Sequence, residues 1–160
     1  MSSIDAGLTL KLCTALGCGL VAGVFFAFST FVMQALGQQP PAQGIATMQS
    51  INITVINPWF MGVLFGTAAG CLGLIAASLT KGLPGAKYLL IGSLLYLLGT
   101  ILVTVAFNVP LNDALARVNP DSAEGASFWT KYLASWTLWN HVRTGAALAA
   151  AALLTLSLRL

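Results

Sequence analysis

Charge is what this 160-residue chain has least of. Only 7% of its residues are Asp, Glu, Lys or Arg, against roughly 25% in soluble domains. From Leu12 to Thr80 there is not one. With 58% hydrophobic residues, a soluble fold of this size has too little interior to hide the apolar surface. The net charge of +3 comes without a basic cluster, so nucleic acid is excluded as a partner. Cysteine is also scarce. Cys13, Cys18 and Cys71 are odd in number and match no CxxC or Cys/His spacing, which argues against a disulfide framework or a zinc site. They read as small buried apolar residues. There is one histidine, His141, too few for a His-rich metal site. No glycine-rich phosphate loop and no nucleophile elbow is present.

What the chain does have is long apolar runs. A membrane-spanning helix needs about 20 mostly apolar residues, and four segments qualify: 12–36, 58–80, 88–109 and 136–158. The first is too long for a signal-peptide core and has no convincing small-residue cleavage site, so it is read as a retained helix. The fold expected is all-α: one domain, an integral membrane four-helix bundle. Its second and third helices are joined by the breaker-rich turn Lys81-Gly82-Leu83-Pro84-Gly85-Ala86-Lys87. Segments 38–57 and 110–135 carry apolar residues near helical spacing and are expected to form short helical pieces of an outer cap. Asn57-Pro58 reads as an N-cap followed by a first-turn proline, or as a kink. Asn119-Pro120-Asp121-Ser122 reads as a turn that starts a helix. Glycines at GxxxG spacing, Gly19/Gly23 and Gly62/Gly66/Gly70, favour close packing of helices. The same faces are compatible with a homo-oligomer.

Lys11, Lys81, Lys87 and Arg159 lie on one side of the spans, and Arg117 and Lys131 on the other, where Asp113, Asp121 and Glu124 also lie. By the positive-inside rule both termini are expected in the cytoplasm, of a bacterial inner membrane in the simplest reading.

Polar residues concentrate at the outer ends of the spans. Ser29 lies on the first, Asn57 at the start of the second, Asn108 and Asn112 near the end of the third. Trp139-Asn140-His141-Val142-Arg143-Thr144 opens the fourth. Ionisable residues at this depth are costly and are functional candidates by default. Asn108 and Asn112 share a helix face, as do Asn140, Arg143 and Thr144. Pro110 lacks a donor and disfavours helix at Val109, freeing a nearby carbonyl. Neutral histidine can act as a base near neutral pH, and arginine with amide donors can stabilise an anion. Phe128, Trp129, Tyr132, Trp136 and Trp139 form either an interfacial aromatic belt or the wall of a pocket. The alternatives are interhelical hydrogen bonds, each worth roughly 0.6 to 2 kcal/mol, and a haem held by a thioether such as Met33, Met48 or Met61.

The strings Ala22-Gly23-Val24-Phe25-Phe26-Ala27-Phe28-Ser29-Thr30-Phe31, Asn57-Pro58, Asn108-Val109-Pro110-Leu111-Asn112 and Trp139-Asn140-His141-Val142-Arg143-Thr144 resemble the DUF1772, or anthrone oxygenase-like, membrane proteins. The resemblance runs from about Leu12 to Leu154. It implies a small four-helix membrane protein, and an oxygenase that converts a polyphenolic, anthrone-type or other small apolar aromatic substrate with O₂. On that reading His141 is the base, and Arg143, Asn108 and Asn112 stabilise the oxyanion. Asn57, Asn140, Trp136, Trp139, Thr144 and Ser29 line the substrate. Such a substrate supplies its own electrons, so no cofactor is expected, with haem or a quinone as the alternative. The rival reading is a membrane bundle that binds a quinone, a lipid or another apolar molecule without chemistry, or one that is purely structural.

Overall fold

A computed structural model describes residues 6–160 as five helices: α1 (Ala6–Gly37), α2 (Pro41–Thr54), α3 (Pro58–Lys81), α4 (Ala86–Ala116) and α5 (Ala123–Arg159). All but α2 are long and apolar enough to cross a membrane. The protein is an integral membrane protein. The four spans form a closed ring in which α1 packs on α3, α3 on α4, α4 on α5 and α5 back on α1. α2 lies at one end, against the end of α1, the end of α4 and the start of α5. This is called the cap end below.

Local sequence explains the boundaries. Asn57 Oδ1 accepts from the Trp59 and Phe60 amides at 3.1 and 3.0 Å, and Pro58 occupies the first turn of α3. The N-cap reading is therefore correct, and no kinked continuous helix joins α2 to α3. Gly82 and Gly85 take left-handed backbone, φ +58° and +74°, in the turn between α3 and α4, where a side chain would strain the chain. Ser122 Oγ caps α5 by accepting from the Gly125 amide at 2.9 Å.

Two expectations change. The segment 110–135 is not a set of separate cap helices. α4 continues past Pro110 to Ala116, and α5 begins at Ala123, so both spans project into the cap end. Pro110 is tolerated because it sits in the first turn after a π-helical stretch, Thr104–Asn108, where the regular hydrogen-bond ladder is already interrupted. The cysteines also divide. Cys18 and Cys71 are buried in the core, while Cys13 is exposed on the bundle surface.

Two apolar cores stack along the bundle. One, toward the termini, includes Cys18, Val21, Phe25, Leu74, Tyr96 and Leu154. The other, toward the cap, includes Met48, Leu115, Trp129, Tyr132 and Trp136. The GxxxG faces serve packing only in part. A methyl group at Gly17 or Gly70 would collide with Thr67 or Thr14, whereas Gly19, Gly23, Gly62 and Gly66 have open space around them.

Candidate functional site

Arg143 occupies the layer between the two cores. It is 4% exposed. Its guanidinium carbon lies 4.2 Å from the centroid of the Phe25 ring, in one core, and 5.1 Å from that of Trp136, in the other. Nη2 donates to Asn140 Oδ1 at 2.7 Å and Nη1 to Thr104 Oγ1 at 3.3 Å. Nε–H has no partner. Both partners are neutral, so the cation is held by dipoles and ring faces. Rings stabilise a desolvated cation by roughly 2 kcal/mol, well short of the several kcal/mol it costs to remove the charge from water.

Three helices fix that geometry. α1 carries a π turn at Phe28–Val32, which loosens the regular backbone ladder there. Beside it, Asn140 Nδ2 donates to the Phe25 carbonyl at 2.7 Å and to Ser29 Oγ at 2.8 Å. Ser29 and Thr144 hydroxyls meet at 3.0 Å, and Thr144 also donates to the Asn140 carbonyl at 2.8 Å. Asn140 thus has its oxygen committed to Arg143 and its amine committed to α1.

α4 supplies a polar stripe: Thr100, Thr104, Asn108 and Asn112, each four residues from the next. In a straight α-helix such a stripe drifts by about 40° per step. The π-helical stretches Leu95–Leu102 and Thr104–Asn108 have more residues per turn and take that drift back. All four residues therefore meet α5. Thr100 Oγ1 donates to the Arg143 carbonyl at 3.4 Å, Thr104 accepts from Arg143, and Asn108 Nδ2 donates to the Trp136 carbonyl at 3.2 Å. Asn112 Oδ1 accepts from Tyr132 Oη at 2.9 Å and from Trp136 Nε1 at 2.8 Å.

A cavity of about 260 Å³ opens beside Arg143. It lies just under the roughly 300–1,000 Å³ of most small-molecule sites. Phe25, Phe28, Phe60 and Trp136 wall it, with the thioethers of Met48 and Met61. Its polar groups are Arg143, Thr104, Asn112 and Asn52. Thr104 Oγ1 is already committed, because it accepts from Arg143 and donates to the Thr100 carbonyl at 2.7 Å. Asn52 Nδ2 is buried without a partner. The unused groups at Arg143 and Asn52 are both donors, which suits a ligand presenting acceptor oxygens to an aromatic slot.

The residues singled out in the sequence separate into distinct places. Arg143, Asn112 and Trp136 line the cavity. Asn140, Ser29 and Thr144 stand behind Arg143 and hold it. Asn108 is 1% exposed and bonds α5, with its Oδ1 unpartnered, but it does not line the cavity. Asn57 is consumed by capping, with Nδ2 donating to the Thr54 carbonyl at 3.0 Å. Trp139 is half-buried on the outer side of α5, stacked on Phe107 at 3.6 Å. His141 is exposed and faces a separate groove of about 510 Å³ between α1 and α5, which it shares with Ser29, Gln34 and Thr137. The reason is angular: residues two apart on a helix do not share a face.

The aromatic residues also divide. Trp129, Tyr132 and Trp136 stack in sequence inside the bundle, with centroids 5.5 and 6.4 Å apart. Trp59 is 87% exposed. Sequence reasoning did not select Asn52, Thr104, Phe25 or Phe60. The four-residue stripe on α4 and the i, i+4 pair Met48/Asn52 on α2 were the available signals. Among the described residues, no group of three or more His, Cys, Asp or Glu side chains clusters.

The family model described as anthrone oxygenase matches residues 56–153, more than half of the chain. That range includes α3, α4 and most of α5, and with them Thr104, Asn112, Trp136, Asn140 and Arg143. No curated protein and no solved structure gives a significant match.

Proposed function

The chain belongs to the anthrone oxygenase family, and from that premise we propose that the Arg143 cavity binds an anthrone-type or other small apolar aromatic substrate bearing oxygens and oxidises it with O₂. The observation that carries this reading is the buried Arg143: a cation with neutral partners and a free Nε–H, beside an aromatic-walled cavity.

The chemistry follows from the substrate's own acidity. The methylene of a hydroxyanthrone loses a proton to give an enolate whose negative charge sits on oxygen. Arg143 Nε–H donates to that oxygen, and Asn52 Nδ2 donates to a second acceptor on the ring system. The electron-rich carbon then reacts with O₂. The methylene becomes a carbonyl, two electrons pairs pass from substrate to O₂, one oxygen atom enters the product and the other leaves as water. One anthrone and one O₂ give one anthraquinone and one water. No external reductant is needed, and the proposal includes no cofactor.

His141 stands outside the cavity, so the proton is taken up by water rather than by His141 in this scheme. The water reaches the substrate from a cleft of about 620 Å³ that shares Asn52 and Asn112 with the cavity and is flanked by Asp113. The orientation that fits the lysine and arginine bias places both termini on the cytoplasmic side of a bacterial inner membrane, with the cap end outside. Homo-oligomers are proposed only through the open Gly19/Gly23 and Gly62/Gly66 faces.

The test is oxygen uptake by the purified protein in proteoliposomes supplied with anthrone. The expected result is consumption above the uncatalysed rate, at one O₂ per anthraquinone formed. Uptake equal to protein-free vesicles, with anthrone or anthraquinone still retained by the protein, refutes the oxygenase and leaves a non-catalytic quinone-type binding protein.

A further inference from the structure

Some residues that line the cavity also face the bilayer. Phe65 on α3 and Val105 on α4 line it, yet are 56% and 59% exposed on the bundle surface. A side chain with both properties marks a gap in the wall. The helices explain where the gap begins. Tyr96 Oη donates to the Leu64 carbonyl at 3.0 Å and ties α4 to α3. α3 packs on residues 86–102 of α4, and no comparable packing joins it to the rest of α4 toward the cap end. Val105 follows Thr104, the partner of Arg143, so the gap lies at the depth of the buried cation.

α2 roofs this gap. Met48 and Asn52 reach the cavity from above, and Gln49 Nε2 pins α2 to the end of α4 by donating to the Leu115 and Val118 carbonyls at 2.9 and 3.0 Å. The cavity therefore has an apolar side opening between spans and a cleft of mixed lining at its roof. The cleft carries the polar side chains of Gln49, Asn52, Asn112 and Asp113 beside Ile53, Ile56 and Val109. An apolar ring system gains roughly 25 cal/mol per Å² on leaving water. It resides in the bilayer, and passing through the cleft requires it to return to water first.

We propose that the cavity is loaded sideways from the bilayer, through the gap between α3 and α4 bounded by Phe65 and Val105, by a planar apolar molecule carrying an acceptor oxygen for Arg143. This rests on the reading of the Arg143 cavity as the substrate site. It assigns the substrate class as one dissolved in the leaflet at the cap end. It gives the two openings different tasks: the gap passes the ring system, and the cleft passes water and protons.

The experiment reads access without turnover. In a background of Cys13→Ser, Cys18→Ala and Cys71→Ala, Met61→Cys puts one thiol in the cavity wall. Proteoliposomes are treated with an apolar aryl maleimide or with a sulfonated, water-soluble maleimide supplied to both faces, each rate being normalised to that reagent's rate with a free thiol. The apolar reagent is expected to label about tenfold faster than the sulfonated one. Adding Val105→Trp is expected to slow the apolar reagent about tenfold, within the range over which association rates vary, and adding Phe65→Ala to speed it. Equal labelling by both reagents overturns the proposal. So does an apolar rate that ignores both Val105→Trp and Phe65→Ala in protein that remains monodisperse. A protein that labels in the expected pattern but does not oxidise anthrone refutes the oxygenase and leaves the gap standing.

Discussion

His141 and Arg143 stand two residues apart on α5 and face opposite ways. Arg143 is 4% exposed, between Phe25 and Trp136, while His141 lies exposed in a groove on the far side. A step of two residues on an α-helix is about 200°. The two groups therefore cannot act on one small molecule in a single cavity. This relationship is why the proposed chemistry is assigned to the arginine and not to the lone histidine.

Asn140 is expected to be a positioning residue. It links Arg143 to the Phe25 carbonyl and Ser29 through three hydrogen bonds of 2.7, 2.7 and 2.8 Å. Asn140→Ala leaves the buried Nη2 of Arg143 without its acceptor, at a cost of roughly 1–3 kcal/mol. Thermal unfolding in detergent is expected to shift down by several degrees. An unchanged midpoint contradicts the network.

Asn112 holds two rings with one oxygen. Tyr132 Oη and Trp136 Nε1 both donate to Asn112 Oδ1. Asn112→Leu keeps the branched shape and the number of heavy atoms but strands both donors, so a loss of about 2 kcal/mol or more is expected. Removing one of the donors as well, in Asn112→Leu/Tyr132→Phe, is expected to recover part of it. A double-mutant cycle by chemical denaturation checks both results, and strict additivity rules the shared acceptor out.

The glycines separate by what faces them. Gly17→Ala and Gly70→Ala drive a methyl into Thr67 and Thr14, and overpacking of this kind costs roughly 1–3 kcal/mol. Gly62→Ala and Gly66→Ala meet open space and are expected to leave the melting midpoint unchanged or raised. The reverse order is incompatible with the α1–α3 packing described.

The four spans were legible because hydropathy and length constrain a membrane helix strongly. The caps at Asn57 and Ser122 were legible because capping is local chemistry. The polar layer was legible as a depth but not as a site. Depth along a helix follows residue number, whereas the direction of a side chain depends on helix phase. Two stretches of π-helix in α4 and one in α1 shift that phase. They bring Thr104 into line with Asn108 and Asn112 against α5. The position of Asn52 in the cavity depends on how α2 packs against the ends of α1 and α4 and the start of α5, which no local pattern records.

The comparison that tests the account most directly is anthrone oxidation by Arg143→Met and His141→Ala beside the unmodified protein, measured as oxygen uptake in proteoliposomes with both variants confirmed as folded. Loss of one donor to a developing oxyanion costs roughly 10²- to 10³-fold in rate. The expected result is a fall of that size for Arg143→Met and a rate within about twofold of unmodified protein for His141→Ala, the usual outcome for a group that makes no contact with the transition state. A collapse in His141→Ala with Arg143→Met intact would contradict the assignment of the chemistry to the Arg143 cavity.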